Sequence, residues 1–168
     1  LPHFLIIGAM KSGTTSLYDA MCRHPNVHSA LLKEIHYFDH NYHRGLAWYQ
    51  AHFPRATEGL ISGEASPYYL FHPACPERVF QTLPQVKLIA ILRDPVARAY
   101  SHYQYEKKKG REQRSFSEAT QAEQHLLTSS DVGFLAAPGS FEHQYFSYLS
   151  RGLYARQLDG WLNYFKPE

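Results

Sequence analysis

Apolar positions fall into two nearly unbroken runs and several spaced sets. "HFLIIGA" at residues 3–9 and "VKLIAILRDP" at 86–95 are apolar on both faces, the pattern of strands buried inside a parallel sheet. "GLISGEASP" at 59–67 predicts a third strand that runs into a turn. Between them the spacing becomes helical. "GTTSLYDAMCRH" carries Leu17, Ala20 and Met21 on one side until Pro25 stops it, and "LAWYQAHFP" predicts a short helix ended by Pro54. "PACPERVFQTLP" has proline in its first turn, where the missing N–H costs nothing. Asp94 and Pro95 predict the cap and first residue of a helix closed by Gly110, and "SFSE" at 115–118 is a capping box for the next. "DVGFLAAPGSFEHQYF" at 131–146 reads as loop. "RGLYARQLDGWLNYF" sets Leu153, Leu158, Trp161, Leu162 and Phe165 on one stripe. Strands alternating with helices predict an α/β fold, a mainly parallel central sheet flanked by helices.

Length and composition narrow the picture. A chain of 168 residues with 44% hydrophobic and 19% charged residues suits one globular domain, expected here to span 1–168 and to lack its C-terminal part. No apolar run approaches the roughly 20 residues of a spanning helix. The opening Leu-Pro-His has no basic region or cleavage site, so no leader is expected at this end, although the absent initiator Met fits a fragment. A formal charge of +2 gives no argument for nucleic acid. Cys22 and Cys75 provide neither a disulfide framework nor a metal motif, and fit a reducing, cytoplasmic setting.

The chemistry starts at "FLIIGAMKSGTTSLYDAM", residues 4–21. Gly8 and Gly13 keep the spacing of a phosphate-binding loop, but the lysine is Lys11, inside the loop instead of after the second glycine. A strand that turns on glycines into a helix directs backbone N–H groups at one point, and Thr14, Thr15 and Ser16 add hydroxyls; together these suit an anion. The lysine position argues against a P-loop kinase or NTPase, as does the reading of Asp94 as a helix cap and not a magnesium ligand. Arg93 at a strand end and Ser101 two turns into the next helix, roughly 9 Å along its axis, suit a second phosphate held by guanidinium and hydroxyl.

"KSGTTSL", "KEIHYFD" and "ILRDPVARAYSHY" together resemble the sulfotransferases that use 3′-phosphoadenosine 5′-phosphosulfate (PAPS), and most of all the branch of the heparan sulfate sulfotransferases and their bacterial relatives. The likeness spans nearly the whole chain. It implies that Lys11, Ser12, Gly13, Thr14, Thr15 and Ser16 hold the 5′-phosphosulfate, that Arg93 and Ser101 hold the 3′-phosphate, and that no metal takes part. Lysine inside the loop then reaches the bridge between phosphate and sulfate, and PAP is the product. The resemblance also sets Glu34 as the base that accepts the acceptor's proton.

On the acceptor side, an extended "KEIHYFD" places Glu34 and His36 on one face, carboxylate as general base and imidazole as helper. The acceptor is expected to be a hydroxyl of a carbohydrate or of an acyl chain on a carrier protein. Glu64, at a strand end, and the pair Tyr68 and Tyr69 are further acceptor-side candidates, the tyrosines being equally suited to the core. Many heparan-type relatives carry lysine where this chain has Ala65, which argues against a highly sulfated acceptor. The crowding of His36, Asp39, His40 and His43 offers a rival reading as a metal-dependent hydrolase, although an extended segment separates His36 from His40. "KKKGREQR" at 107–114 reads as a solvated helix end that complements the dipole.

Overall fold

The computed structural model describes residues 1–54, 59–128 and 138–166. The chain forms two compact units, Leu1–Leu92 with Gln157–Glu168, and Arg93–Arg156.

The first unit is built on four parallel strands, β1 (Phe4–Gly8), β2 (Val27–Ser29), β3 (Ile61–Ala65) and β4 (Lys87–Ala90), in the order β2-β3-β1-β4. All five residues of β1 are buried, as its unbroken apolar run requires for a central strand. Its register sets Phe4 against Gly63 on one side and Lys87 on the other. Helices α1 (Thr14–Met21), α2 (Leu46–Gln50) and α3 (Cys75–Thr82) complete the connections, with a 3₁₀ turn at Tyr42–Arg44 before α2. Tyr18 ties α1 to the sheet: its hydroxyl donates to the Gly63 carbonyl at 2.9 Å and accepts from the Ala30 N–H at 2.8 Å. Burial pushes that phenol up to about 12. A cleft of about 520 Å³ between β4 and the end of the last helix, lined by Val86, Leu88, Trp161 and Phe165, contains none of the candidate site residues.

The second unit contains α4 (Pro95–Lys108), α5 (Phe116–Thr128), α6 (Phe141–Tyr145), a 3₁₀ turn at Ser150–Gly152 and the start of α7 (Tyr154–Leu162). Asp94 caps α4 by accepting from the Ala97 N–H at 2.8 Å, and Ser115 and Glu118 form the reciprocal capping box. The core joins Ala99, Tyr103, Ala119 and Tyr148. Buried Arg98 donates to the Tyr148 carbonyl, and Glu123 accepts from the N–H groups of Leu149 and Ser150, which fixes that loop.

Several local expectations need correction. Strand β2 was not expected; Val-His-Ser has no apolar run, and only pairing with β3 makes it a strand. Residues 131–137 of the expected loop lie outside the described residues, but Ser140 caps a helix over Phe141–Tyr145. The stripe on the last helix is narrower than its sequence suggests: Trp161 is buried, while Leu153 precedes the helix and, like Leu162, is exposed.

Candidate active site

Strand β1 delivers the chain to the glycine turn. A Cβ on Gly8 would lie 2.6 Å from that of Leu70, so only glycine allows this approach of the backbone. Lys11 and Gly13 adopt left-handed conformations, with φ of 68° and 97°, which reverse the chain between strand and helix. Helix α1 opens on Gly13, which has no side chain to cap it, so the first N–H groups of the helix are left for an outside acceptor. The Ser12 hydroxyl is buried without a hydrogen-bond partner among the described residues. A buried orphan hydroxyl beside uncapped N–H groups and a lysine is the donor set an anion would satisfy.

The segment after β2 folds against this loop. Lys33 donates from its ammonium to the Thr15 hydroxyl at 2.9 Å. Glu34 follows, its side chain 41% exposed, with an oxygen 3.5 Å from Nε2 of His36. The other ring nitrogen of His36 is 2.7 Å from Oδ2 of buried Asp39. Glu34, His36 and Asp39 thus form a line from solvent into the protein. Burial alone would lower the His36 pKa, but hydrogen bonds and charge from Asp39 and Glu34 outweigh it and raise the imidazole to about 9. Burial would likewise raise Asp39, and His36 with the His40 N–H holds it below the usual carboxylate range. The pair is therefore an imidazolium on a carboxylate at neutral pH.

This arrangement does not come from an extended strand, as the sequence suggests. Glu34 and His36 both have left-handed backbones, φ 56° and 53°, and residues 36–40 form a turn closed by the His40 N–H on the His36 carbonyl at 3.2 Å. The two side chains meet all the same. The turn also brings His36 and His40 together, with ring centroids 5.2 Å apart, where an extended segment would separate them. His36, Asp39 and His40 form a group whose ligand atoms lie within 4.8 Å of one another; His43 is not part of it. Asp39 reads from the sequence only as a member of the rival metal cluster, and not as the partner of His36. Its spacing of three from His36 is the signal, but only in a turn.

The cause of the unusual backbone is long-range. Tyr69 Oη accepts from the Tyr37 N–H at 2.8 Å, Ser66 Oγ accepts from the His36 N–H at 3.2 Å, and Arg78 donates to the carbonyls of Phe38 and Asp39. Tyr69, Ser66 and Tyr49 in turn donate to Glu64, at 3.0, 2.9 and 2.7 Å. Glu64 is 1% exposed, and burial raises its pKa in spite of these three donors. It anchors the loop from beneath and does not face an acceptor. Tyr68 and Tyr69 are buried core residues, and residues 67–71 form turns.

Arg93 and Ser101 belong to the second unit, Arg93 exposed just before α4 and Ser101 half-buried within it. Tyr154 donates to the Arg93 carbonyl at 2.9 Å and fixes the backbone there. The basic stretch nearby is largely committed to structure. Arg111 pairs with Glu106 and lies over Tyr145, Arg114 forks onto Glu112, and Lys107 donates to Tyr103.

A parallel α/β sheet feeds an uncapped glycine-loop helix, whose donors suit an anion, and a glutamate–histidine–aspartate line is bonded close to it through Lys33. The comparisons give that arrangement a family. The sulfotransferase domain model matches residues 1–168, and the chain belongs to that family. It is 38% identical to heparan sulfate glucosamine 3-O-sulfotransferase 6 of Mus musculus over 164 residues, 98% of this chain and 44% of the relative. The human bifunctional heparan sulfate N-deacetylase/N-sulfotransferase 3 is 34% identical over 176 residues, 99% of this chain and 19% of that protein. The chain therefore spans less than half the length of these curated relatives. A crystal structure of a sulfotransferase from Alicyclobacillus acidocaldarius superposes with a TM-score of 0.79 at 29% identity, covering 98% of this chain and 69% of the other.

Proposed function

We propose that the protein transfers a sulfuryl group from PAPS to a hydroxyl of a carbohydrate acceptor, leaving PAP. The observation that supports this best is the Lys33–Thr15 bond, because it holds the loop bearing Glu34 against the anion loop within one compact unit. PAPS supplies an activated sulfuryl group. Glu34 accepts the acceptor's proton as the new oxygen–sulfur bond forms, and Lys11 with the N–H groups of the loop balances the charge left on the phosphate as its bond to sulfur breaks. His36, kept as an imidazolium by Asp39, orients the Glu34 carboxylate. Arg93 and Ser101 are assigned to the 3′-phosphate. A carbohydrate is favoured over a carrier-bound acyl chain because the relatives named above act, by their names, on heparan sulfate; Ala65 favours one of low sulfation.

Thermal unfolding with and without PAP tests the donor half. At a hundredfold excess over its dissociation constant, PAP should stabilise the protein by about 2.7 kcal/mol. Lys11→Ala and Arg93→Ala should each remove most of that gain. No shift with PAP in the folded wild-type protein overturns the proposal.

A further inference from the structure

The turn that carries the base has a second capability. A helical turn sets positions i, i+3 and i+4 on one side, and at 36, 39 and 40 these are histidine, aspartate and histidine. All three offer ligand atoms of the kind zinc and cobalt take, within 4.8 Å of one another. In a tetrahedral site with bonds of about 2.0–2.2 Å, neighbouring ligand atoms sit roughly 3.3–3.6 Å apart, so only small side-chain rotations are needed. The backbone is already fixed. Arg78 bonds the carbonyls of residues 38 and 39, the Asn41 side chain donates to the Ile35 carbonyl at 3.0 Å, and the His40 ring is stacked on Tyr68 with centroids 5.3 Å apart. Glu34 lies against the other ring nitrogen of His36, at 3.5 Å, so the fourth position is left to water.

We infer that His36, Asp39 and His40 form a binding site for a divalent transition ion such as Zn²⁺, its fourth position taken by water, and that the loaded site slows transfer. The inhibitory half rests on the function proposed above. On binding, metal–nitrogen and metal–oxygen bonds form, and the proton held between His36 and Asp39 leaves to solvent; nothing is oxidised or reduced. Binding adds one positive charge behind His36, on the far side of the ring from Glu34, and so makes that carboxylate a weaker base for the acceptor's proton. The ion is thus an inhibitor that weakens the base, not a participant in the reaction.

Cobalt is the probe. Apo protein titrated with Co²⁺ should develop the visible absorption of a tetrahedral ion at one equivalent, and Zn²⁺ should abolish it. His40→Asn, which lies outside the proposed transfer machinery, should bind Co²⁺ at least about tenfold more weakly and keep its unliganded turnover. Zn²⁺ should inhibit sulfate transfer by the wild type, reversibly with chelator, and inhibit His40→Asn correspondingly less. His40→Gln serves the same purpose should the asparagine variant not fold. No stoichiometric cobalt signal, or a signal undiminished in a folded His40 variant, overturns the site. A cobalt-loaded protein with undiminished transfer overturns the inhibition alone. The spectrum is read without PAPS, so a failure of the transfer reading shows separately, as a missing PAP shift.

Discussion

Two glutamates, Glu34 and Glu64, show how one side chain type is given opposite tasks within one unit. Glu64 is sealed, with three hydroxyls donating to it, and it holds Tyr49, Ser66 and Tyr69 in place. Glu34 stands on the rim, partly exposed, with a single imidazole beside it. A carboxylate whose lone pairs are already satisfied by buried donors is poorly placed to accept another proton from a substrate. One that is open on its outer side is suited to it. Both lie in short polar stretches of sequence, and neighbouring residues do not tell them apart; their surroundings do.

The comparison is broken most directly at Glu34. Glu34→Gln should fold with an unchanged melting temperature and still bind PAP, while turnover falls by at least about a hundredfold; retained turnover would remove it from the role of base. Glu64→Ala should do the reverse. Three buried hydroxyls lose their acceptor, at a cost of about 3 kcal/mol, which in a chain of this size lowers the melting temperature by roughly 6–12 °C. A Glu64 variant of wild-type stability would mean that the anchor is not one.

A third outcome concerns the line of charges behind Glu34. The His36 imidazole is raised from 6.5 to about 9 on folding, so it binds a proton more tightly in the folded protein. Its contribution is complete below pH 6.5 and is lost as pH rises through about 9. Urea unfolding at those two values should show a decline on the order of 2 kcal/mol, reduced in His36→Gln. The smallest effect is expected in the second unit. Asp94→Ala removes one cap from α4 and should cost about 1 kcal/mol, with PAP binding retained.

The sequence was readable wherever a local signal decides structure. The glycines at 8 and 13, the cap at Asp94 and the capping box at Ser115 are each recognisable from two or three residues, and the apolar run of β1 could only be a buried strand. Strand β4 forms where its run predicts, but at the end of the described sheet, with Lys87 and Ala90 exposed and Leu88 and Ile89 half-buried, so the expectation of burial on both faces fails there. What escaped was set at a distance. The left-handed backbones of Glu34 and His36 are not encoded in "KEIHYFD"; they follow from Ser66, Tyr69 and Arg78, some 30 to 40 residues away, holding the next peptide groups. That clamp turns an expected strand into a turn, and so brings Asp39 and His40 to a histidine they were expected to avoid. Strand β2 was invisible because its register on β3, and not its side chains, makes it a strand.

The loop between β2 and α2 is held to the core along residues 36–39 and to the glycine loop through Lys33. Leu31 and Leu32, by contrast, present their side chains outward. Substitutions on that outer edge would leave the aim of the carboxylate behind it unaltered. That margin can therefore drift in sequence without the chain having to relearn how to fold.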